Sequence, residues 1–282
     1  MFQRLSRSWS LVKASASVLR QDKELLVFPL VSLVSLVVVM AVFAVPTIAL
    51  GLLEGFHGGS RALGPAHYVL AFLFYFAQYF VIFFFNSALV GAAMMRLDGQ
   101  DPTVSDGLRI ATSRIGKIAG YALIAATVGL ALRIIQERVG FVGKIVVAIL
   151  GAGWSIATFL VVPVLVSRDI GPIDAVKESA SLLRKTWGEN LIGQAGIAAA
   201  FGLIFFLVVV AGVVLVVGAI GTHSVAMIVV ALVVTVLAVG ITALIQAALS
   251  GIYEAALYRY AVDGSQTAGF DSGALKLAFA PK

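Results

Sequence analysis

Long stretches without charged side chains dominate this chain and limit what it can fold into. The longest cover 25–53, 62–95, 145–167 and 190–253, which contain no Asp, Glu, Lys or Arg and only the histidines His67 and His223. A helix needs about 20 apolar residues to cross the hydrocarbon core of a bilayer. Backbone groups in lipid must pair within the protein, so spanning segments are helices or closed barrels. Because the stretches lack the alternation of barrel strands, the sequence predicts an all-α polytopic membrane protein.

The composition excludes several other classes of protein. With 61% hydrophobic and 12% charged residues, a water-soluble fold would expose large apolar patches. The chain has no cysteine, which excludes thiolate nucleophiles, disulfides, iron–sulfur clusters and cysteine zinc sites. The net charge of +6 suits either nucleic acid or anionic lipid, and in a membrane protein we favour lipid. We therefore expect no cofactor and no nucleic-acid partner.

The hydrophobic runs divide into six predicted spans. They are 25–50, 67–95, 118–134, 143–166, 191–219 and 225–257. The third is the shortest, because only 118–132 is uncharged and Arg133 would have to extend its charge to the interface. The first run exceeds the apolar core of a signal peptide, about 7–15 residues. We therefore expect the first run to be a span and not a cleaved leader.

Basic residues predict the orientation of these spans. Of the 20 lysines and arginines, 16 flank one set of span ends, and the other set has only Arg61, Arg133, Arg138 and Lys144. Positively charged loops mark the cytoplasmic side. We expect a multi-pass protein of the inner (plasma) membrane with both termini in the cytoplasm. Residues 265–282 would form a short cytoplasmic tail.

A one-sided apolar stripe precedes each pair of predicted spans. Apolar residues recur at spacings of three and four, as in a helix that lies at a membrane surface. The stripes are Phe2, Leu5, Trp9, Val12, Ala16 and Leu19; Val104, Leu108, Ala111, Ile115 and Ile118; and Ile173, Val176, Ala180, Leu183 and Trp187. The pattern predicts three repeats of an amphipathic interfacial helix plus a transmembrane hairpin. The repeats would cover about 1–97, 98–167 and 168–264 of a single transmembrane domain, 1–264.

Start signals support two of these interfacial helices. Asp101-Pro102 and Gly171-Pro172 place proline where the first helical residue is expected. Acidic residues lie early in both segments and basic residues lie late, as the helix dipole favours. The predicted helices would therefore begin at Pro102 and Pro172.

The segment Gly171-Pro172-Ile173-Asp174-Ala175-Val176-Lys177-Glu178-Ser179, followed by Leu182 and Trp187, resembles a broad bacterial group of six-helix membrane proteins. The group includes the membrane domain that precedes some glycerophosphoryl diester phosphodiesterases. In the usual pattern an aromatic residue follows the serine, and Ala180 stands there in this chain. The resemblance implies a fold and no catalytic residue.

Few residues are candidates for chemistry. Glu54, His57, His67 and His223 all fall on the outer side in this topology, and Glu54 and His57 could share a helix face as metal ligands. Histidines are also ordinary at membrane interfaces, and we favour that interpretation. The sequence shows no nucleophile–base pair, no paired catalytic carboxylates and no phosphate loop. We therefore expect no enzyme and no metal site.

Polar residues in the spans offer a second set of candidates. Glu254 lies near the end of the sixth span, where Arg259 or Arg96 could pair with it and join the second and sixth spans. Ionisable groups in a membrane are also candidates for transport. We favour the structural ion pair for Glu254, and an interhelical hydrogen bond for Asn86.

Two functions are consistent with these features. The favoured one is a non-catalytic scaffold, assembly or membrane-organising component, with anionic head groups and a protein partner or second copy as its partners. The alternative is a transporter or channel for a small ion or solute, possibly an anion. For that alternative, Pro29, Pro46 and Pro163 could unwind spans and expose backbone carbonyls to an ion. Simple kinks are the commoner effect of such prolines.

Overall fold

The computed structural model describes residues 13–49, 65–187 and 191–263, without the side chains of 49, 66–67, 185–187, 191–201 and 263. The described segments are helical and contain no strand. A 3₁₀ turn, Lys23–Leu26, precedes the helix Val27–Ala49. The helices are α1 (13–21), α2 (Val27–Ala49), α3 (Pro65–Leu97), α4 (Val104–Ser113), α5 (Ile115–Arg138), α6 (Phe141–Ala157), α7 (Val161–Ser167), α8 (Pro172–Trp187), α9 (Leu191–Ile220) and α10 (Val225–Asp263).

Within these ranges, six helical segments are long and apolar enough to cross a bilayer. They are Lys23–Ile48, Tyr68–Leu97, Ile115–Arg138, Phe141–Ser167, Gly202–Ile220 and Val225–Val262. The predictions of an all-α chain and of six helices long and apolar enough to span a membrane are therefore confirmed for the described residues. The third span is longer than its uncharged run, because α5 has 24 residues and takes in Lys117 and Arg133. At 1.5 Å per residue, α5 is about 36 Å long, enough to cross.

The fourth span is broken into α6 and α7. The break covers 158–160, where the Phe159 amide bonds to the Ile156 carbonyl at 3.1 Å and the Val161 amide bonds to the Thr158 carbonyl at 3.1 Å. These bonds reach back three residues and not four, which tightens the chain. Pro163 has no N–H to donate to this turn, which explains why the α-helix is interrupted just before it.

The starts of α4 and α8 differ from each other. α8 begins at Pro172 as predicted. α4 begins at Val104 and not at Pro102, because Thr103 forms a capping box with Asp106. The Thr103 hydroxyl accepts from the Asp106 amide at 3.3 Å, and the Asp106 carboxylate accepts from the Thr103 amide at 3.0 Å. Thr103 therefore caps the first turn of α4 by accepting a hydrogen bond from one of its free amides, and Pro102 lies outside the helix.

The chain forms two compact units. One consists of Val27–Ala92 and Pro102–Leu183, and α4 packs against α3 in it. Gly107 of α4 lies against the Phe28 ring and the Ala88 carbonyl, and Gly91 of α3 lies against Ile110. Among the described residues of this unit, the largest side chains that are completely buried are those of Phe28, Val90, Ile118, Leu160, Val161, Pro163, Val164 and Leu165. Small residues let the short helix approach the span closely.

The other unit contains the described residues within Met1–Leu26, Ala93–Asp101 and Arg184–Lys282. Its buried side chains include Val18, Leu25, Ala93, Leu97, Ile252 and a run from Ala255 to Tyr258. Its largest element is the hairpin of α9 and α10, whose helices touch where Thr235 Oγ1 lies 3.4 Å from the Gly212 carbonyl. A Cβ on Gly212 would lie 2.3 Å from Thr235 Cγ2, so glycine is required for this contact.

Candidate functional site

In the unit that contains the α9–α10 hairpin, the ends of α3 and α10 are joined by charged side chains. The Arg259 guanidinium pairs with the Asp98 carboxylate and donates to the Met94 carbonyl at 3.4 Å. Arg96 pairs with Asp101 at 2.8 Å. α3 ends at a turn in which Gly99 has φ of +80°, a conformation that favours glycine and closes many helices.

The two arginines proposed as partners of Glu254 thus pair with other carboxylates. Arg259 does link the sixth span to the second, and the carboxylate that it contacts there is Asp98. Glu254 is half-buried, between the buried residues Tyr253 and Ala255. The motif Asp98-Gly99 directly after a span was the available sequence signal for this contact. The pairing of Glu254 itself stays a prediction.

Asp22 is a buried carboxyl group in the same unit that sequence reasoning missed. It is only 6% exposed, between α1 and the 3₁₀ turn, where Oδ1 accepts from the Glu24 amide at 3.2 Å. Its Oδ2 finds no hydrogen-bond partner among the residues that the structure describes. Burial raises the pKa of Asp22, although the Glu24 amide and the charge of Arg96 act in the opposite direction. In the sequence, Asp22 lies among the basic residues that precede the first span, and nothing in that pattern indicated that its side chain would be buried.

Replacing Asp22 with asparagine should stabilise the protein at neutral pH. The ordinary pKa is 3.8 and the folded value is higher, so the neutral carboxyl favours folding at low pH. This contribution is lost as pH rises through the folded pKa, because the unfolded chain releases the proton first. Melting of Asp22→Asn in detergent between pH 3 and 8 should therefore show an advantage over wild type that grows with pH. An advantage of equal size throughout would contradict the prediction.

The Arg259–Asp98 pair should show energetic coupling. Arg259→Gln and Asp98→Asn should each lower stability, and the double variant should lose about 1 kcal/mol less than their sum. Chemical denaturation in detergent micelles would measure the three values. Arg133→Gln combined with Asp98→Asn is the control and should be additive, since Arg133 bonds to Glu137 and Tyr75 instead. Additive losses for Arg259 and Asp98 would exclude the contact.

In the other unit, Ser179 of α8 reaches the break in the fourth span. Its hydroxyl donates to the Ala157 carbonyl at 2.7 Å and accepts from the Leu160 amide at 3.0 Å, and the residue is fully buried. These are the backbone groups that the interruption before Pro163 would otherwise leave unpaired. The serine belongs to the motif that carries the six-helix resemblance, but nothing in sequence indicated its two bonds.

A second charged cluster in this unit joins the start of α5 to the segment between α7 and α8. Arg114 and Lys117 both pair with Asp169, and Arg168 pairs with Glu178 at 2.9 Å. The two cations lower the pKa of Asp169 through hydrogen bonds and charge. Asp169→Asn should consequently destabilise the protein at neutral pH. The destabilisation should disappear as pH falls through the folded pKa of Asp169. Its effect on stability is therefore opposite in sign to that of Asp22→Asn.

The other candidates lie apart from these clusters or outside the described residues. His223 is exposed in the turn between α9 and α10, with a positive φ of 53°. Glu54 and His57 lie outside the described residues, as does the side chain of His67. Asn86 is half-buried on α3. No group of three potential metal ligands occurs among the described residues.

Comparison with known proteins adds one finding. Residues 65–270 match a protein family described as a family of unknown function, DUF6159. This stretch runs from the first residue of α3 to beyond the end of α10. No curated protein matches the chain.

Proposed function

The chain belongs to the family of unknown function DUF6159, and from its own residues we propose that it is a non-catalytic scaffold or assembly component of the membrane. In this proposal, both termini face the cytoplasm and the short helices α1, α4 and α8 lie at the cytoplasmic surface of the plasma (inner) membrane. There they bind anionic lipid head groups. A second copy or another membrane protein would be the partner that the scaffold holds.

The arrangement of side chains on α8 is the observation that carries this proposal. α8 packs against the protein through Ala175, Ser179 and Leu182, which are buried. Ile173 is left 61% exposed and the Lys177 side chain 73% exposed. Apolar and basic side chains exposed on one short helix suit the boundary between acyl chains and anionic head groups.

α4 supports the same interpretation. It buries Gly107 and Ala111 against the protein, and the Arg109 side chain is 77% exposed. Ile115, at the adjoining start of α5, is also exposed. The predicted apolar stripes included Ala111 but omitted Gly107 and Ala175, although both are buried.

The threefold repeat is also part of the proposal. Ser15-Ala16-Ser17-Val18-Leu19-Arg20 corresponds to Ser179-Ala180-Ser181-Leu182-Leu183-Arg184. In both segments the first serine and the two aliphatic residues are buried, and the arginine is exposed. In the second and third repeats, a small buried residue follows an aspartate early in the helix. These pairs are Asp106-Gly107 and Asp174-Ala175. These correspondences support duplication of the short helix. That the chain shares its fold with the six-helix group is likewise a proposal.

Lipid preference tests the proposed function. Phosphatidylglycerol added to the detergent-purified protein should raise its melting temperature more than phosphatidylcholine does, and salt should reduce the difference. The double variant Arg109→Gln, Lys177→Gln should lose most of this difference. Lys144→Gln, which removes a charge from the predicted outer side, is the matched control and should keep it. Equal stabilisation of wild type by the two lipids would overturn the proposal.

Cysteine labelling tests the orientation, since the natural chain has no cysteine. Single cysteines at the exposed positions Gln136 and Thr222 should react with an impermeant maleimide added outside spheroplasts. Cysteines at Ser105 and Lys177, also exposed, should react only after lysis. Ser179 does not serve this purpose, because it is fully buried. External labelling at Ser105 would overturn the six-span orientation.

The alternative function, transport of a small ion or solute, is favoured by the break at 158–160. Discontinuous spans form substrate sites in many transporters. Against transport, Ser179 occupies the Ala157 carbonyl and the Leu160 amide at this break. Flux of anions and cations into liposomes containing the purified protein separates the two functions. Flux above that of empty liposomes would favour the transporter.

A further inference from the structure

Asp22 combines deep burial with an oxygen atom that lacks a partner. The residue is 6% exposed, and its Oδ1 accepts from the Glu24 amide at 3.2 Å. Its Oδ2 has no hydrogen-bond partner within the described part of the chain. Buried polar atoms in proteins are nearly always hydrogen-bonded, so an exception needs an explanation. A neutral carboxyl group tolerates this position better than a carboxylate, whose buried charge would be uncompensated.

Arg96, near the end of α3, is a cation that acts on Asp22 in the same unit. Its charge favours the ionised form of Asp22. Its Nη1 atom is bonded elsewhere, to the Asp101 carboxylate at 2.8 Å and to the Gln100 carbonyl at 3.3 Å. The Asp101 side chain is 94% exposed, so water competes for this ion pair and the pair contributes little to stability. Arg96 is therefore held weakly beside a buried carboxyl group that lacks a partner.

We propose that Arg96 exchanges between these two carboxylates and so forms a pH-dependent link from the end of α3 to the turn after α1. When Asp22 is protonated, Arg96 pairs with Asp101, the contact that the structure shows. When Asp22 is ionised, its buried charge attracts the guanidinium more strongly than the exposed Asp101 does, because water screens the exposed pair. Arg96 then leaves Asp101 and donates to Asp22 Oδ2.

Other charged groups lie on the elements around this turn. They are Arg20, Lys23 and Glu24 beside Asp22 in sequence, Asp98 and Asp101 at the end of α3, and Glu254 and Arg259 on α10, which packs against the turn. Glu24 and Asp101 disfavour the ionised form of Asp22, and Arg259 is paired with Asp98. Arg96 is the cation whose charge favours ionisation of Asp22, so it is the partner that the carboxylate would attract.

The direction of the exchange with pH follows from the burial of Asp22. Burial raises the pKa of Asp22 above its ordinary value of 3.8, against the smaller effects of the Glu24 amide and Arg96. Asp22 is therefore neutral below its folded pKa and ionised above it, so the link to Arg96 forms as pH rises. Because the folded pKa stays above 3.8, Arg96 offsets only part of the cost of ionisation. Asp22→Asn thus remains stabilising at neutral pH, as predicted above.

The cost of removing Arg96 tests the link. Melting temperatures in detergent without added lipid should be compared between pH 4 and 8 for Arg96→Gln, Asp22→Asn and their double variant. At pH 8, Arg96→Gln should lower the melting temperature of wild type about 2–4 °C more than it lowers that of Asp22→Asn. The two losses should converge at the acid end, where Asp22 is neutral in wild type as well.

Asp101→Asn gives a second test that needs no Arg96 variant to fold. An ordinary exposed ion pair would persist as pH rises, so its loss would cost at least as much at pH 8 as at lower pH. Exchange predicts the opposite: the loss of melting temperature should shrink toward pH 8, because Arg96 has left Asp101. In the Asp22→Asn background this decline should disappear.

Glu254→Gln is the control, because Glu254 is a half-buried carboxyl group in the same unit. It should leave the pH dependence of both tests in place. Two results would overturn the proposal: an Arg96→Gln loss that is equal in the two backgrounds at pH 8, or an Asp101→Asn loss that persists to pH 8. Abolition of the pH dependence by Glu254→Gln would also overturn it. Since no lipid is added, the outcome is separate from the phosphatidylglycerol test of the proposed function.

Discussion

Replacing Gly107 with alanine is expected to prevent accumulation of folded protein. The new Cβ would lie 2.5 Å from Phe28 Cζ and 2.7 Å from the Ala88 carbonyl oxygen. The phenyl ring could move, but the carbonyl belongs to the backbone of α3 and cannot. Overpacking of this kind costs about 3 kcal/mol. The measurement is the yield of monodisperse protein in detergent, followed by its melting temperature.

Gly116→Ala is the matched control for this prediction. Gly116 is an exposed helical glycine of α5, and a Cβ there would meet no atom within 4 Å. Alanine is the better helix former by up to about 1 kcal/mol, so Gly116→Ala should be neutral or slightly stabilising. Equal behaviour of the two variants would show that α4 does not pack on α3 through Gly107.

Removal of the Ser179 hydroxyl is expected to produce the second large effect. Ser179→Ala would leave the buried Leu160 amide without its partner and take a donor from the carbonyl of the half-buried Ala157. An unsatisfied buried group costs about 1–3 kcal/mol, and the break between α6 and α7 has two such groups. Denaturation in detergent should show the loss, together with faster hydrogen exchange at Leu160.

The exposed Ser105 on α4 provides a comparison for Ser179. Ser105→Ala removes the same hydroxyl without uncovering a buried backbone group, so its stability should stay within about 0.5 kcal/mol of wild type. If Ser179→Ala were equally mild, the break would be supported by groups other than this serine. Ser179→Thr, which keeps a hydroxyl, separates loss of the hydrogen bonds from a change in packing.

The long spans could be predicted because a bilayer imposes a strong rule on sequence. A run such as 190–253 has few folds available to it once water is excluded. The break at 158–160 was harder to predict, because Pro163 in a span usually causes only a kink. The Leu160 amide and the Ala157 carbonyl at the break bond to Ser179, which is distant in sequence and was not identified as a partner.

The charged contacts were predicted less well than the helices, for a related reason. The sequence predicted that Arg259 lies at the cytoplasmic end of a span, but it did not reveal which carboxylate would be nearest to it. Asp98 is available to Arg259 because Gly99 ends α3 there, a geometric detail of one turn. Asp22 is similar: its neighbours in sequence are polar, and only the fold buries it.

The uninterrupted length of α10 has a mechanical consequence. Its 39 residues span about 58 Å, nearly twice the hydrocarbon thickness, with no proline and no break between Val225 and Asp263. Because the helix is continuous, a displacement at one end is transmitted toward the other. Tilting of the hairpin, as the bilayer thins or thickens around it, would therefore move the Arg259 end through an arc. The ion pair between Arg259 and Asp98 would oppose this movement, because it links the end of α10 to the end of α3.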